Sequence, residues 1–140
     1  THEYHYEATS HIRVFCKKFN ATVILNTHPV TEALRKVHYK GHPYEGHPMP
    51  PMASDVEGGG KFVNRCDEFV VIARYTMHET DWIFTDIHIR KVKELETGGR
   101  PTPLDSPIRL QSIKYNVGYI IGYKNLITLP EPKQQEDVPF

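Results

Sequence analysis

The chain has 140 residues, enough for one domain with a hydrophobic core. With 39% hydrophobic and 24% charged residues, its composition is that of a globular protein. Basic and acidic residues balance at a formal net charge of zero, so anion binding must come from local clusters and not from an overall field. No run approaches the roughly 18 apolar residues of a membrane span, and we expect no membrane contact.

The cysteines and the first residues suggest where the chain comes from. Cys16 lies in a helical pattern and Cys66 lies beside an apolar run, which favours buried free thiols and a reducing, cytoplasmic location over a disulfide. The sequence starts inside a helical pattern at Thr1, without an initiator methionine or the features of a signal peptide. We therefore expect a piece of a longer protein or a processed product.

The first half of the chain predicts a helix and a buried strand. Residues 4–19 place apolar side chains at helical spacing, which predicts an amphipathic helix. Residues 21–27 (ATVILNT) form a nearly continuous apolar run, typical of a strand buried on both faces of a parallel sheet. A helix followed by such a strand predicts an α/β fold.

A long irregular segment follows. Residues 29–54 show no sustained period, and residues 41–51 hold four of the eleven prolines; a loop of this length is usually functional or disordered. The glycines at 58–60 predict the start of a short helix that runs to Asp67. Residues 69–73 (FVVIA) predict a second buried strand.

The last third predicts antiparallel strands. Residues 82–93 alternate between an apolar side and a polar side that holds Asp86, His88 and Arg90, which predicts a half-exposed antiparallel strand. Residues 104–115 and 119–129 predict two more strands. Residues 130–140 are polar and contain prolines, so we expect a folded domain over 1–129 and a flexible tail over 130–140.

Four short segments carry a family likeness when they are taken in order. They are ILNTHP at 24–29, DVEGGGKFVNRCD at 55–67, FVVIAR at 69–74, and IRKVK followed by TGG within 89–99. This set resembles the C-terminal half of the RecA-like core of hexameric replicative DNA helicases of the DnaB and Twinkle types, over roughly residues 8–125. The resemblance implies a truncated P-loop NTPase core of phage or bacterial type. Its mixed sheet would have parallel buried strands and C-terminal antiparallel hairpins.

The resemblance also implies roles for matched positions. His28 matches a polar sensor that responds to the γ-phosphate of ATP. Lys91 and Lys93 match a basic pair that reaches the nucleotide of the neighbouring subunit, where the family usually has arginine in place of Lys93 and lysine lacks the planar guanidinium fork. Contact with phosphate and coupling to DNA are implied for Gly58, Gly59, Gly60, Lys61 and Asn64. A capped strand end and a plain helix start are the alternatives for His28 and for the glycines.

Residues 29–56 match the family's second DNA-binding loop. Over residues 29–54 the basic residues outnumber the acidic ones by only one, so binding would need six loops converging on one strand. Tyrosines in the loop could stack on bases. The expected contacts to single-stranded DNA are Arg35, Lys36, Tyr39, Lys40 and Tyr44; a disordered surface loop is the alternative.

Two kinds of site are not predicted. The loop histidines have no cysteine near them in sequence, so we expect no metal site. No G-x-x-x-x-G-K-[ST] motif occurs, because Gly60 and Lys61 are followed by Phe62. ATP and Mg²⁺ are therefore expected in the parent protein only, and this chain alone is expected to bind neither and to hydrolyse no ATP.

The function implied is that of a fragment of an ATP-dependent replicative helicase that acts on single-stranded DNA as a homohexamer. One alternative is a recombinase-like or plasmid-replication ATPase of the same superfamily. Another, from a different class, is a non-enzymatic module that binds nucleic acid or protein and retains half of the fold.

Overall fold

A computed structural model describes residues 2–58, 60–113 and 117–127. In these residues the helices are α1 (His2–Phe19), α2 (Gly60–Arg65) and α3 (Leu95–Gly98). The strands are β1 (Glu68–Ala73), β2 (Phe84–Val92), β3 (Ile108–Ser112), β4 (Tyr119–Ile121) and β5 (Lys124–Asn125). Helices and a sheet in one chain confirm the α/β class. The expected tail over 130–140 lies outside the described residues.

The described strands form one sheet in sequence order, β1-β2-β3-β4-β5, and every neighbouring pair is antiparallel. This order confirms the antiparallel hairpins at the C-terminal end. Parallel pairing is not found among the described strands, and the predicted burial of residues 69–73 is wrong. They belong to β1, an edge strand in which only Val71 is buried, because nothing in the described chain pairs with its outer edge.

Residues 21–27 are the largest departure from the sequence-based expectation. They are extended and follow a helix end at Asn20, whose φ of 48° is that of a helix terminus. They pair with no strand in the described ranges. Residues 22–28 are exposed, and Ile24 is 90% exposed. The segment has the composition of a core strand, but the neighbours that would bury it are missing from the described chain.

Residues 29–56 are ordered and lie against the sheet. The two ends meet in an antiparallel bridge between Pro29 and Val56, and His38 pairs with Glu45 in the middle. Two short 3₁₀ turns, Ala33–Arg35 and Ala53–Asp55, complete the loop. Because the two ends are bridged and backbone hydrogen bonds cross the loop, the disordered alternative does not describe this segment.

The apolar core of the described residues is small. Its buried members are Ala33, Val56, Val63, Val71 and Tyr75. They come from the loop, from α2, from β1 and from the residues just after β1, so the core lies where the loop folds over the first strands of the sheet. None of the described helices has the length and apolar character needed to cross a bilayer.

Candidate functional site

An open groove of about 1440 Å³ runs along the free edge of β1. The walls of this groove include residues 21–29 and residues 68–72. Side chains of α1 and α2, among them Ile12, Cys16 and Val63, also line it. Two extended stretches of chain, both rich in apolar residues, therefore line one groove.

Both stretches have unused backbone hydrogen-bonding capacity. In β1 the described pairing is with β2 alone, so its other edge is free. In residues 22–27 no backbone group hydrogen bonds to another backbone group of the described chain. Unpaired strand edges are templates for a further strand. The groove thus has the lining and the hydrogen-bonding groups that an inserted extended segment needs.

His28 and Lys93 border this groove together. His28 is exposed, and its carbonyl accepts a hydrogen bond from the backbone N–H of Glu57 at 3.4 Å. Lys93 donates its backbone N–H to the carbonyl of Asp67 at 2.9 Å, and its Nζ lies 3.4 Å from Asp67 Oδ1. That ion pair is exposed and therefore weak, so the ammonium of Lys93 is available to another anion.

Lys91 has an internal role. Its Nζ donates hydrogen bonds to the carbonyl oxygens of Val63 at 2.7 Å, Cys66 at 2.8 Å and Asn64 at 3.2 Å. These carbonyls lie at the C-terminal end of α2, where a helix leaves acceptors without partners and where a positive charge is favourable. Lys91 uses its three donors to cap this helix.

The glycine-rich stretch leads into α2. Gly58 has a φ of 83°, and a Cβ there would lie 3.1 Å from the ring of Phe62; only glycine fits at this position. Gly60 begins α2, which carries Lys61 and Asn64. Gly59 lies outside the described residues.

The predicted DNA contacts separate into two groups. Arg35, Tyr39 and Lys40 are exposed on the outer side of the loop. Lys36 forms an ion pair with the buried carboxylate of Asp55, and this hydrogen bond, together with one from the backbone of Met52, holds the pKa of Asp55 below its usual value. Lys36 therefore holds the loop closed, whereas the first three side chains remain available to a ligand.

Tyr44 belongs to the interior. Its ring stacks on Tyr75, with centroids 3.9 Å apart and planes at 9°. Its hydroxyl donates to Asp81 Oδ2 at 2.6 Å and accepts from Arg109 Nη2 at 2.6 Å. Burial raises the pKa of Tyr44. With one face covered and its hydroxyl bonded on both sides, Tyr44 anchors the loop to the sheet.

Arg109 organises a polar cluster that sequence reasoning missed. It donates from Nε and Nη2 to the two carboxylate oxygens of Asp86, both at 2.7 Å, and from Nη1 to Asp81 at 3.0 Å. The hydrogen bonds to Asp86 raise the pKa of Arg109 further. Asp86 is 3% exposed. On the polar side of β2, predicted to be exposed, Asp86 and His88 are instead buried, and Arg109 of β3 covers Asp86.

Histidines line the same covered face. His38 is buried, bonds through Nε2 to the Tyr75 hydroxyl at 2.9 Å, and stacks on His42 with centroids 4.0 Å apart. His88 is 3% exposed, and neither ring nitrogen has a partner within the described residues. Burial lowers the pKa of both His38 and His88. In the part of the chain that the structure describes, no three His, Cys, Asp or Glu side chains are arranged to hold a metal ion.

Comparison with protein-family models, with curated proteins and with solved structures finds no match for this chain. Its function must therefore be inferred from the residues and from their geometry. The structure brings His28 and Lys93 to one groove and leaves Arg35, Tyr39 and Lys40 exposed on the adjoining loop. It assigns Lys36, Tyr44 and Lys91 to internal contacts.

Proposed function

We propose that this chain is the C-terminal part of the RecA-like core of an ATP-dependent replicative DNA helicase. In this proposal His28 senses phosphate, residues 29–56 bind single-stranded DNA, and Lys93 acts on the nucleotide of a neighbouring subunit. The parent protein would work as a homohexamer in the cytoplasm, and the free thiols of Cys16 and Cys66 are compatible with a reducing compartment. The observation that carries the proposal is the open groove.

The groove has the properties expected of the place of a missing strand. A P-loop unit consists of a strand, the phosphate-binding loop and a helix, and its strand is apolar because it is buried on both faces. At about 1440 Å³ the groove exceeds the roughly 300–1,000 Å³ of small-molecule pockets and suits a polypeptide segment. Such a strand would pair with both walls and would cover Ile24 and Ile72, which are exposed.

In this proposal His28 meets the phosphates that such a strand would bring, and Lys93 meets those of the neighbouring subunit. In α/β sheets, ligands bind at the carboxyl ends of the strands, and His28 follows the extended residues 21–27. Lys93 follows β2 and borders the same groove. When bound, ATP supplies the phosphoryl group that passes to water. In this chain Lys93 would place positive charge beside the transferring group, since Lys91 is engaged with α2.

Backbone contacts offer a path from the sensor to the loop. The carbonyl of His28 accepts from Glu57, and the adjacent bridge between Pro29 and Val56 closes the loop. In this proposal a change in the hydrogen bonding of the His28 ring shifts the backbone of His28, and with it the base of the segment that carries Arg35 and Lys40. This short connection supports a role in coupling nucleotide state to DNA binding.

The coding sequence upstream of Thr1 tests the proposal. We expect this upstream sequence to encode, in the same reading frame, an apolar strand followed by G-x-x-x-x-G-K-[ST]. A start codon at or just before Thr1 would overturn the helicase assignment. ATP turnover is expected from the extended chain and not from these 140 residues; turnover by the 140 residues alone would contradict the assignment of the missing parts.

The DNA-binding loop has its own test in the assembled ring. Because Lys40 is exposed and Lys36 is paired with Asp55, Lys40→Ala should weaken binding of an oligo-dT strand more than Lys36→Ala does. It should also reduce the slope of log affinity against log salt by about one for each phosphate that the substituted lysines no longer neutralise. Fluorescence anisotropy over a salt series measures both. Salt-independent binding, or equal effects of the two substitutions, would contradict the assignment.

A binding module without ATPase activity is the second candidate. Lys91, one of the two lysines expected to act in trans, is held by three carbonyls of its own chain, which is what a purely structural residue would do. For this candidate the groove would take a strand from another protein, and the upstream coding sequence would lack the phosphate-binding motif.

A further inference from the structure

We propose that a small cavity between α1 and α2 is a binding site for a phosphate-type oxyanion. The cavity has a volume of about 200 Å³ and is lined by His5, Tyr6, Lys61, Asn64 and Arg65. Residues 5 and 6 come from α1, and the other three come from α2. It shares Arg65 with the open groove along β1, and it contains Lys61 and Asn64, for which the family resemblance also implies contact with phosphate.

Within the described residues the charge of the cavity is positive and uncompensated. Lys61 and Arg65 form no ion pair with a carboxylate of these residues, and none of these carboxylates lines the cavity. Arg65 is nevertheless held in place, because Nη2 donates to Ser10 Oγ at 3.0 Å and the guanidinium lies 4.1 Å from the centroid of the Tyr6 ring. An oriented guanidinium without a counter-charge favours an anion.

Two lining residues also carry buried nitrogens without partners. These are Nδ1 of His5 and Nε of Arg65, neither of which has a hydrogen-bond partner among the described residues. Buried polar atoms without partners are uncommon and costly. Neither nitrogen is open to solvent, so a ligand in the cavity would contact the other donors of Arg65 and the ammonium of Lys61.

The position of His5 is fixed by packing. Its ring meets the ring of Phe62 edge to face, with centroids 4.8 Å apart and planes at 73°. A Cβ at Gly58 would lie 3.1 Å from Phe62 and 3.5 Å from the His5 ring, so the glycine lets the two rings pack. His5 and Arg65 are thus held in place before any ligand arrives.

Size and charge select the ligand. A cavity of about 200 Å³ is below the roughly 300–1,000 Å³ of pockets that enclose small molecules, so it suits a phosphate group better than a whole nucleotide. A guanidinium fork and an ammonium match the several oxygens of a phosphate. The phosphate could be free inorganic phosphate or a phosphodiester of a single strand, and both present the same chemistry to the cavity.

Inorganic phosphate is the probe that tests the site. We expect calorimetric titration of the folded chain, at ionic strength matched with chloride, to detect phosphate binding that weakens about tenfold in Lys61→Gln. Arg65→Gln should weaken it to a similar degree. Since Arg65 also contacts Tyr6 and Ser10, Lys61→Gln is the variant that leaves the fold intact.

Arg35→Gln is the matched control, because Arg35 is exposed on the loop and does not line the cavity. It should bind phosphate as the unsubstituted chain does. Unchanged phosphate binding in Lys61→Gln, or an equal loss in Arg35→Gln, would overturn the proposal, since binding would then reflect general surface charge.

A second arm separates the two phosphate sources. Oligo-dT without terminal phosphates is titrated into the same variants at the same ionic strength. Loss of both ligands in Lys61→Gln assigns the site to a nucleic-acid backbone, and loss of inorganic phosphate alone assigns it to free phosphate; both outcomes support an oxyanion site. The proposed helicase function is judged separately by the upstream coding sequence, so either proposal can fail without the other.

Discussion

At the scale of single residues, the interior of this protein is unusually polar. Arg109 is bidentate to Asp86, which is 3% exposed, and it also holds Asp81 and Tyr44. Removing one partner of a buried ion pair leaves an uncompensated charge, which is strongly destabilising, whereas the intact pair adds little net stability. The cluster therefore contributes less to net stability than to a defined structure, because it fixes the position of the loop over the polar side of β2.

The buried histidines make stability depend on pH. Burial lowers the pKa of His38 and of His88 below the ordinary 6.5. As the pH falls below about 6.5, the unfolded chain takes up protons, whereas the folded chain takes them up only at lower pH. The contribution of these histidines to the free energy of unfolding is therefore present in full above 6.5 and is lost as the pH falls toward the folded pKa. We expect the free energy of unfolding, from urea titrations between pH 5 and 8, to decrease below about 6.5.

His88→Leu isolates one of the two contributions. The ring nitrogens of His88 have no partner in the described chain, so the substitution removes a titrating group without breaking a hydrogen bond and should flatten the decrease below pH 6.5. His11, exposed on α1, provides the control His11→Gln, which should leave the pH dependence unchanged. A His88→Leu profile identical to that of the unsubstituted chain would contradict this account.

Some residue roles could be predicted from sequence and others could not. The position of His28 after an extended apolar run was predictable because it depends only on neighbours in sequence. The capping role of Lys91 was not, because the contact between Lys91 and residues 63–66 exists only once β2 has paired with β1. The pairing of Asp86 with Arg109 likewise depends on the register between β2 and β3, which alternation alone does not give.

At the scale of elements, α2 is the helix that depends most on a distant contact. It has six residues, too short to be stable alone, and Lys91 satisfies three carbonyls at its end. Lys91→Met keeps the length of the side chain and removes the cap. Two of these hydrogen bonds are partly buried and one is exposed, so we expect the substitution to lower the free energy of unfolding by about 1 kcal/mol, as measured by urea denaturation.

Lys93→Met is the matched control for α2. Its ammonium makes only an exposed ion pair with Asp67, so the substitution should change stability by less than about 0.5 kcal/mol. A larger loss from Lys93→Met than from Lys91→Met would show that the cap is not what stabilises this end of the helix.

Some element types and boundaries could be predicted from the local sequence, and others could not. The expected strand over residues 119–129 is in part a hairpin, β4 and β5, because Gly122 adopts a φ of 58° and turns the chain. The helix over residues 4–19 and the alternating strand over 82–93 were correct in type. The buried strand predicted over residues 21–27 was wrong. An apolar run shows that a strand could be buried in a core, but it does not show whether the rest of the chain can bury it.

At the scale of the whole molecule, large apolar side chains are exposed at many places, and several of them line the groove. Val70 in β1 is 47% exposed and Ile72 is 70% exposed, and across the groove Ile24 is 90% exposed. Folded proteins seldom leave a large contiguous apolar patch uncovered unless something binds there. Among the described residues, β1 therefore combines the apolar sequence of a core strand with the position of an edge strand.

An open edge of this kind predicts self-association when the chain is isolated. The free edge of β1 offers unpaired N–H and C=O groups beside apolar side chains, and a second copy is the partner that such an edge meets first. Ile72→Lys places a charge on that edge, a device that natural edge strands use against pairing. Sedimentation velocity over a concentration series should show dimers or larger species for the unsubstituted chain and mainly monomer for Ile72→Lys.

Met77→Lys is the matched control, because Met77 is also apolar and is 85% exposed but lies in the turn after β1. This variant should associate like the unsubstituted chain. Monomer at all concentrations for the unsubstituted chain would mean that the apolar walls of the groove do not draw a strand, and the case for a missing strand between residues 21–27 and β1 would lose its physical basis.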